Sequence, residues 1–339
     1  MIQNSEDNQS VNPPLISVII LTYNQEKFIS KTLESVLSQH TNFKYEVIVA
    51  EDFSSDKTGE ICREYENKYP EQIRLHLGKE NVGAHHRFLE AVQLAKGKYI
   101  GLCEGDDYWT DPDKLQMEYE VLEKHADCPG VHTKVIYVDD KDEIIGESDL
   151  VPEGANTVSF DYLVQKNAIH TCSFMFRKSI FNETADSILR SSPVSDYALF
   201  LIAAINGDIY YINQITGAYR KEVGVTTSWK HKEYIKCRLA VYSLIEKYLD
   251  VKGHKAAIHV AKQFQYFHLF SIQGKEKGRI SRCQYLLFLF WYTFLSSIFP
   301  PQIRVHEIGV IDVIRLVFKS RFRIKKRRNC LRTGGDQQR

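Results

Sequence analysis

The sequence lacks the features that mark several common protein classes. Its seven cysteines stand singly, without the paired spacings of zinc and redox sites, so we expect reduced thiols in a cytosolic protein. The first residues are polar and acidic, so we expect no secretory signal. The uncharged run over residues 285–299 is 15 residues long and ends at Pro300. Since a spanning helix needs about 20 apolar residues, this run predicts a buried or interfacial helix.

The composition is that of an ordinary globular protein with an uneven charge distribution. The 339 residues are 43% hydrophobic and 26% charged, which predicts a well-packed core. Residues 1–150 carry 15 Lys or Arg against 29 Asp or Glu, whereas residues 275–339 carry 15 against 4. A basic end of this kind is typical of proteins that bind nucleic acid or an anionic membrane surface.

Strand-like and helix-like segments alternate over the first hundred residues. Short β-branched apolar runs predict buried strands, and apolar residues at helical spacing predict helices. The predicted strands cover residues 15–21, 45–50, 73–77 and 98–103, and the predicted helices residues 26–39, 55–69 and 84–95. This order predicts an α/β fold with right-handed βαβ units and a mostly parallel, Rossmann-like sheet that carries helices on both faces. The acidic connection over residues 139–157 predicts a mobile surface loop.

Three carboxylates follow the predicted strand 98–103 within four positions, at Glu104, Asp106 and Asp107. Carboxylates this close repel each other unless a cation lies among them, and the carboxyl end of a parallel strand is where α/β proteins bind ligands. The cluster therefore predicts a site for Mg²⁺ or Mn²⁺ and a phosphate. The alternative is a polar turn, with Thr110 or Asp111 capping a helix that starts near Pro112.

Four ordered motifs over residues 15–225 resemble family 2 glycosyltransferases of the GT-A fold, inverting enzymes of the bacterial polysaccharide type. The motifs are Ser17 to Asn24, Val49 to Asp56, Asn81-Val82-Gly83, and Gly97 to Ile100 leading to the acidic cluster. Motifs that recur in order are more specific than any one alone. The resemblance implies an enzyme that transfers a hexosyl or N-acetylhexosaminyl group from a nucleotide sugar, with UDP-sugars as the expected donors.

The resemblance also implies donor-binding residues at the ends of the first strands. Asp52 would accept the imino proton of a pyrimidine, and Tyr23 would pack on the base. The other implied contacts are Thr22, Asn24, Glu51, Asn81 and Gly83. The alternatives are a helix cap for Asp52 and a core position for Tyr23. Arg87 stands where relatives often have Asn, a departure whose consequence the sequence does not reveal.

The acidic cluster matches the position of the family's DxD motif. Asp107 would be the first ligand of Mn²⁺ or Mg²⁺, and Asp106 would contact the ribose, the sugar or the metal. Glu104 and Glu51 stand where relatives often carry Asp, so the longer side chains change the ligand geometry.

Two further positions are implied downstream. Asp196, before an apolar helix, matches the catalytic base, although Ser195 or Asp196 would also suit a helix N-cap. Arg220, in a Tyr-Arg segment followed by Gly224-Val225-Thr226, would pair with diphosphate oxygens or lie on the surface. His170 would face the acceptor or have a structural role.

The C-terminal third predicts helices and a basic tail. Residues 305–324 form a basic amphipathic pattern, and seven of the eleven residues 318–328 are Lys or Arg. Basic residues mixed with apolar ones are typical of anionic lipid surfaces. The alternatives are a helix that packs on the catalytic domain, a solvated tail, or nucleic-acid binding, which we disfavour.

Together these patterns predict a disordered tail over residues 1–14, a GT-A domain over 15–228 and a helical C-terminal region over 229–339. We expect a cytoplasmic protein, peripheral on the inner face of the cell membrane, with a glycan or lipid-linked acceptor. A nucleotidyltransferase is one rival, although the sequence lacks the glycine-rich basic loop that cradles a triphosphate. A non-catalytic sugar-nucleotide or glycan-binding module is the other.

Overall fold

A mixed β-sheet with helices on both faces forms the centre of the protein. The computed structural model describes residues 13–221, 223 and 231–276, without the side chains of residues 270, 271 and 273–276. The strands are β1 (Ile16–Thr22), β2 (Tyr45–Glu51), β3 (Ile73–Leu77), β4 (Tyr99–Glu104), β5 (Tyr108–Trp109), β6 (Gly130–Val138), β7 (Ile144–Glu147), β8 (Thr157–Val158), β9 (Phe174–Arg177) and β10 (Ile209–Arg220). The fold class predicted from the sequence is confirmed.

The helices over the first two hundred residues connect or follow these strands. They are α1 (Ile29–Leu37), α2 (Thr58–Lys68), α3 (Ala84–Leu94), α4 (Lys114–Lys124), α5 (Phe160–Gln165), α6 (Glu183–Ser191) and α7 (Ser195–Ala204). Two longer helices follow, α8 (His231–Tyr248) and α9 (Lys255–Glu276). The domain limits at residues 14 and 228 stay predictions, and the run 285–299 and the pattern 305–324 lie outside the described residues.

The strand order is β3-β2-β1-β4-β9-β6-β10-β5, with β7 paired to β6 and β8 to β10. The first four strands are parallel to each other, as their βαβ connections require. β9 runs antiparallel between β4 and β6, and β6 is parallel to β10. The carboxyl ends of β1, β2 and β4 therefore lie side by side, and β10 brings its own end to the same edge.

Two hydrophobic clusters cover the two faces of the sheet. Side chains of β1 alternate between them, since Ile19 joins one cluster and Val18 and Ile20 join the other, all fully buried. Helices α1, α2 and α4 cover one face, and α3 and α5 to α9 cover the other. A strand that is buried on both faces has a continuous run of apolar residues, and β1 has such a run.

The connection over residues 139–157 is more ordered than the sequence predicts. It contains β7, which forms an antiparallel hairpin with β6, and it leads into β8. Among the described residues, no helix has the length and apolar character needed to cross a membrane.

Candidate active site

The polar segments predicted from the sequence meet at one edge of the sheet. Thr22 ends β1, Glu51 ends β2 and Glu104 ends β4. Thr22 pairs with Glu51 in the register of β1 and β2, and Leu21 pairs with Glu104 in that of β1 and β4. A crevice at the carboxyl ends of parallel strands is the usual ligand site of such a sheet.

The acidic cluster after β4 is buried rather than displayed on a solvated turn. Asp106 is 7% exposed and Asp107 2% exposed. Burial raises the pKa of Glu104 well above its usual range, and the charges of Asp107 and Asp106 raise it further. Burial and the charge of Asp106 likewise raise the pKa of Asp107, and burial raises that of Asp106. The three carboxylates therefore favour neutralisation by a proton or a cation.

A close backbone approach holds this cluster in place. A Cβ atom on Gly105 would lie 2.4 Å from Gln25 Oε1 and 2.6 Å from Thr22 Oγ1, so only glycine fits between the acidic residues. The Thr32 hydroxyl of α1 donates to the carbonyl oxygens of Gly105 (3.0 Å) and Asp107 (2.6 Å). The loop between β4 and β5 is thereby fixed to both β1 and α1.

Arg220 lies in the last position of β10 and is 2% exposed. Its backbone N–H donates to Asp107 Oδ1 (2.7 Å), and its Nε donates to the carbonyl oxygen of Asp106 (2.9 Å). These contacts are made to the acidic cluster itself, so the guanidinium is committed to the protein in this structure. Residues 224–226, the other part of the predicted Tyr-Arg segment, lie outside the described residues.

The tip of the β6–β7 hairpin completes the surroundings of Arg220. The Arg220 guanidinium donates to the Asp139 carbonyl oxygen and to Asp142 Oδ1, the latter at 2.5 Å. It lies over the ring of Phe28, 4.3 Å from the centroid. Asp142 also pairs with Lys31 of α1 at 2.8 Å. The hairpin is therefore linked through one arginine to the acidic cluster.

Asp196 lies in the first turn of α7 and is not its N-cap. The cap residue is Val194, which makes no side-chain capping bond, and Asp196 Oδ1 accepts the backbone N–H of Tyr197 at 2.6 Å. Burial raises the pKa of Asp196, and the nearby His85 opposes this increase. The charge of Asp196 in turn raises the pKa of Glu104, so the two carboxylates lie close enough to interact electrostatically.

The first turn of α7 is held by helices on its own face of the sheet. The Tyr197 hydroxyl donates to the carbonyl oxygen of Leu163 in α5 at 2.9 Å, and Arg238 of α8 donates to that hydroxyl at 3.0 Å. Arg238 is 8% exposed and also donates to the carbonyl oxygen of Val164 at 3.0 Å. This network fixes the backbone that carries Asp196.

Asp52 is 3% exposed and already accepts several hydrogen bonds. Its Oδ1 accepts the backbone N–H of Val82 (3.0 Å) and its Oδ2 that of Gly83 (2.8 Å). Asn81 Nδ2 donates to the Asp52 carbonyl oxygen at 3.2 Å. Gly83 has φ +85° at the N-cap of α3, a conformation that favours glycine. Asp52, Asn81 and Gly83 thus form one bonded group beside the crevice.

Arg87 is the partner of Asp52 that the sequence did not reveal. It is 4% exposed, and its Nε and Nη2 donate to Asp52 Oδ1 at 3.2 and 3.0 Å. Its Nη2 also donates to the Glu80 carbonyl oxygen (3.1 Å), and its Nη1 donates to Glu90 Oε2 (2.6 Å). An arginine at this position on α3, where a short polar residue is expected, was the available signal.

The remaining predicted donor residues form two cross-linked loops. The Thr22 carbonyl oxygen accepts the N–H of Asp52 at 3.0 Å. Asn24 Oδ1 accepts the N–H of Ser55 at 2.8 Å. Tyr23 is 43% exposed, so its ring is not part of the core. Glu51 is buried and holds the next turn by accepting the N–H groups of residues 53 and 54.

An aromatic group lies next to the acidic cluster. The ring centroid of His170 lies 4.9 Å from that of Tyr219 and 5.5 Å from that of Tyr137. Burial lowers the pKa of His170 to about 4, so this imidazole is neutral at pH 7. The charges of Asp107 and Glu104 raise the pKa of Tyr219, beyond the larger effect of burial.

The carboxylates that follow β4 have the chemistry to bind a divalent cation, which a diphosphate can bind as well. Glu104 Oε2 is buried without a hydrogen-bond partner among the described residues, and carboxylate oxygens are the ligands that Mg²⁺ and Mn²⁺ prefer. No group of three His, Cys, Asp or Glu side chains in the described part of the chain is arranged to hold a metal by itself.

Comparison with known proteins gives a consistent result. Residues 17–184 match the family model described as glycosyl transferase family 2. An uncharacterized protein of Mycobacterium tuberculosis is 32% identical over 279 residues, which cover 79% of this chain and 77% of that protein. The putative teichuronic acid biosynthesis glycosyltransferase TuaG of Bacillus subtilis is 37% identical over 109 residues, covering 32% of this chain and 42% of TuaG.

A solved structure shares the fold. The crystal structure of S. aureus TarS 1-349 in complex with UDP-GlcNAc has a TM-score of 0.60 to this chain, with 18% sequence identity. The match covers 85% of this chain and 82% of the TarS chain.

Proposed function

The chain belongs to glycosyl transferase family 2 and is a glycosyltransferase, and on that premise we propose that it transfers a sugar from a UDP-sugar to a hydroxyl of a glycan or lipid-linked glycan. The transferred group is a hexosyl or N-acetylhexosaminyl group, and the anomeric centre is inverted. One observation carries the proposal: the carboxylate of Asp196 lies close enough to the buried acidic cluster after β4 to interact with it electrostatically. A leaving-group site and a base on opposite sides of a sugar are what direct displacement requires.

Asp196 is the proposed catalytic base. Its carboxylate removes the proton from the acceptor hydroxyl as the oxygen attacks C1 of the donor sugar, and the bond from C1 to the phosphate oxygen breaks. The electron pair of that bond leaves with the nucleoside diphosphate. Burial raises the pKa of Asp196, which makes its carboxylate a stronger base than an exposed aspartate. In-line attack inverts the anomeric configuration without a covalent sugar on the enzyme.

Asp107 and Asp106 are the proposed ligands of Mn²⁺ or Mg²⁺. Beside them, Glu104 Oε2 is buried without a hydrogen-bond partner in the described part of the chain. When bound, the cation acts as a Lewis acid that stabilises negative charge on the departing diphosphate. The chain itself supplies the placement of these carboxylates, through Gly105 and the Thr32 hydroxyl. Arg220 acts by positioning Asp106 and Asp107, because its N–H groups bind them directly.

The nucleotide is proposed to lie at the ends of β1 and β2. Tyr23 offers an exposed ring there. Among the residues that the structure describes, Asp52 Oδ2 accepts one N–H, that of Gly83, and so retains capacity for an imino proton. Thr22, Asn24, Glu51, Asn81 and Gly83 hold the two loops and the start of α3 around this position. The UDP-GlcNAc bound to TarS, which shares the fold, supports a UDP-sugar as the donor.

The test is binding and hydrolysis of a panel of nucleotide sugars, with and without Mn²⁺, by wild type, Asp107→Ala and Asp196→Asn. We expect one UDP-sugar to bind in a metal-dependent manner, loss of that binding in Asp107→Ala, and retained binding without turnover in Asp196→Asn. Asp113→Ala removes an exposed carboxylate nearby and is the matched control. A folded wild type that binds no donor, with or without metal, would overturn the proposal.

A peripheral position on the inner face of the cell membrane is proposed from the sequence alone. Residues 318–328, which lie outside the described residues, carry seven basic side chains among apolar ones. Each Lys or Arg near an anionic surface contributes about 1 kcal/mol. Full-length protein should sediment with phosphatidylserine vesicles, and glutamine at positions 325–328 should abolish this. Equal sedimentation with neutral vesicles would contradict the proposal.

A further inference from the structure

Phe53 has an unusual combination of backbone conformation and exposure. Its φ is +61°, in the left-handed region that a bulky side chain rarely adopts, and its ring is 56% exposed. The buried Glu51 holds this conformation, since Glu51 Oε2 accepts the Phe53 N–H at 3.1 Å and Oε1 accepts the Ser54 N–H at 2.6 Å. The fold therefore maintains a strained turn whose result is an aromatic ring in solvent, directly after Asp52.

The ring of Tyr23 lies on the neighbouring loop at the corresponding position. The loops are joined on one side by the bond from the Asp52 N–H to the Thr22 carbonyl oxygen (3.0 Å). On the other side, the Asn24 N–H donates to Ser54 Oγ at 2.9 Å. Residues 23 and 53 occupy the single position between these two links, and both rings are exposed. Two exposed rings thus lie on adjacent loops, one residue after Thr22 at the end of β1 and one residue after Asp52.

Backbone strain that the surrounding structure maintains is characteristic of functional sites. A planar heterocycle between β1 and β2 would meet an aromatic face and, at Asp52, an acceptor for an imino proton. We propose that Phe53 contributes to binding of the donor's base, because its ring stacks on a nucleobase that bears an imino N–H. This inference rests on the proposed function, which supplies the nucleotide.

The experiment is calorimetric titration of the full chain with UDP, GDP and inorganic pyrophosphate in Mn²⁺, for wild type, Phe53→Ala and Phe53→Gly. Stacking of one base on one aromatic ring predicts a loss of about tenfold in UDP affinity for both variants. Pyrophosphate, which has no base, should bind as in wild type. Tyr266→Ala, which removes a ring 54% exposed on α9, is the matched control and should bind UDP normally.

Thermal unfolding separates a recognition role from a structural one. Glycine tolerates φ +61°, so Phe53→Gly should keep or raise the melting temperature while it loses UDP affinity. Unchanged UDP affinity in both variants would overturn the inference and leave the proposed function intact. An equal loss of pyrophosphate binding would also overturn it, since the ring would then act through the loop. A wild type that binds neither UDP nor GDP would refute the proposed function itself.

Discussion

Replacing Arg87 by methionine removes the centre of the bonded group behind the crevice. The side chains of Arg87 and Asp52 are 4% and 5% exposed, and each nitrogen of the guanidinium donates to an oxygen acceptor. The guanidinium also packs closely against the backbone of Gly78, where a Cβ atom would lie 2.4 Å from Arg87 Nη2. Among the described residues, methionine leaves the buried Asp52 carboxylate with two donors, the backbone N–H groups of Val82 and Gly83.

The magnitude follows from the burial of both partners. Removing one partner of a buried ion pair costs about 3–5 kcal/mol, because the remaining charge stays in the interior. At about 2–4 °C per kcal/mol for a domain of this size, the melting temperature should fall by roughly 6–20 °C. Because the loop before α3 loses its anchor, the donor KM should rise more than kcat falls.

Urea denaturation and steady-state kinetics measure both effects. Arg63→Met, on the exposed face of α2, is the matched control and should change stability by less than about 0.5 kcal/mol. Combining Arg87→Met with Asp52→Asn should cost less than the sum of the single changes, since the two residues interact directly. A loss below about 1 kcal/mol for Arg87→Met would refute the reasoning.

Three further predictions concern the acidic cluster and the base. Gly105→Ala should destabilise the fold by about 1–3 kcal/mol, because its Cβ would lie 2.6 Å from Thr22 Oγ1, and calorimetry should also show weaker Mn²⁺-dependent donor binding; a wild-type melting temperature would contradict this. Asp142→Asn weakens the hairpin contact to Arg220 and should lower Mn²⁺-dependent turnover, whereas Asp113→Asn should not. Equal turnover in the two variants would argue against a role of the hairpin in positioning Arg220. His85→Gln removes one of the groups that lower the pKa of Asp196, so the acidic limb of the kcat–pH profile should move to higher pH; a shift to lower pH would contradict the assignment.

Much of the sheet could be predicted because its strands and helices have simple local signatures. The predicted strand over residues 73–77 has the bounds of β3, and the predicted helix over 84–95 differs from α3 by one residue. The order of β9 between β4 and β6 could not be predicted, since antiparallel insertion depends on long-range pairing rather than on any local pattern.

The acidic residues of the candidate site were also visible in the sequence, whereas their partners were not. Glu104, Asp106 and Asp107 are conspicuous because three carboxylates within four positions repel each other unless a cation lies among them. The sequence did not reveal that Arg87 and Arg220 are buried, because the burial of a charge is decided by segments distant in the chain. The contact of Arg220 with Asp142 joins residues 78 positions apart in the chain.

The contact between Arg220 and the β6–β7 hairpin limits how this protein can be re-engineered. Surface loops of this kind are natural places to graft a segment from a relative, since they tolerate changes of length and sequence. Here the Asp139 carbonyl oxygen and the Asp142 carboxylate share one guanidinium with Asp106. A chimera that replaces residues 139–147 would keep the position of Arg220 only if the grafted segment supplies a carbonyl oxygen and a carboxylate to its guanidinium.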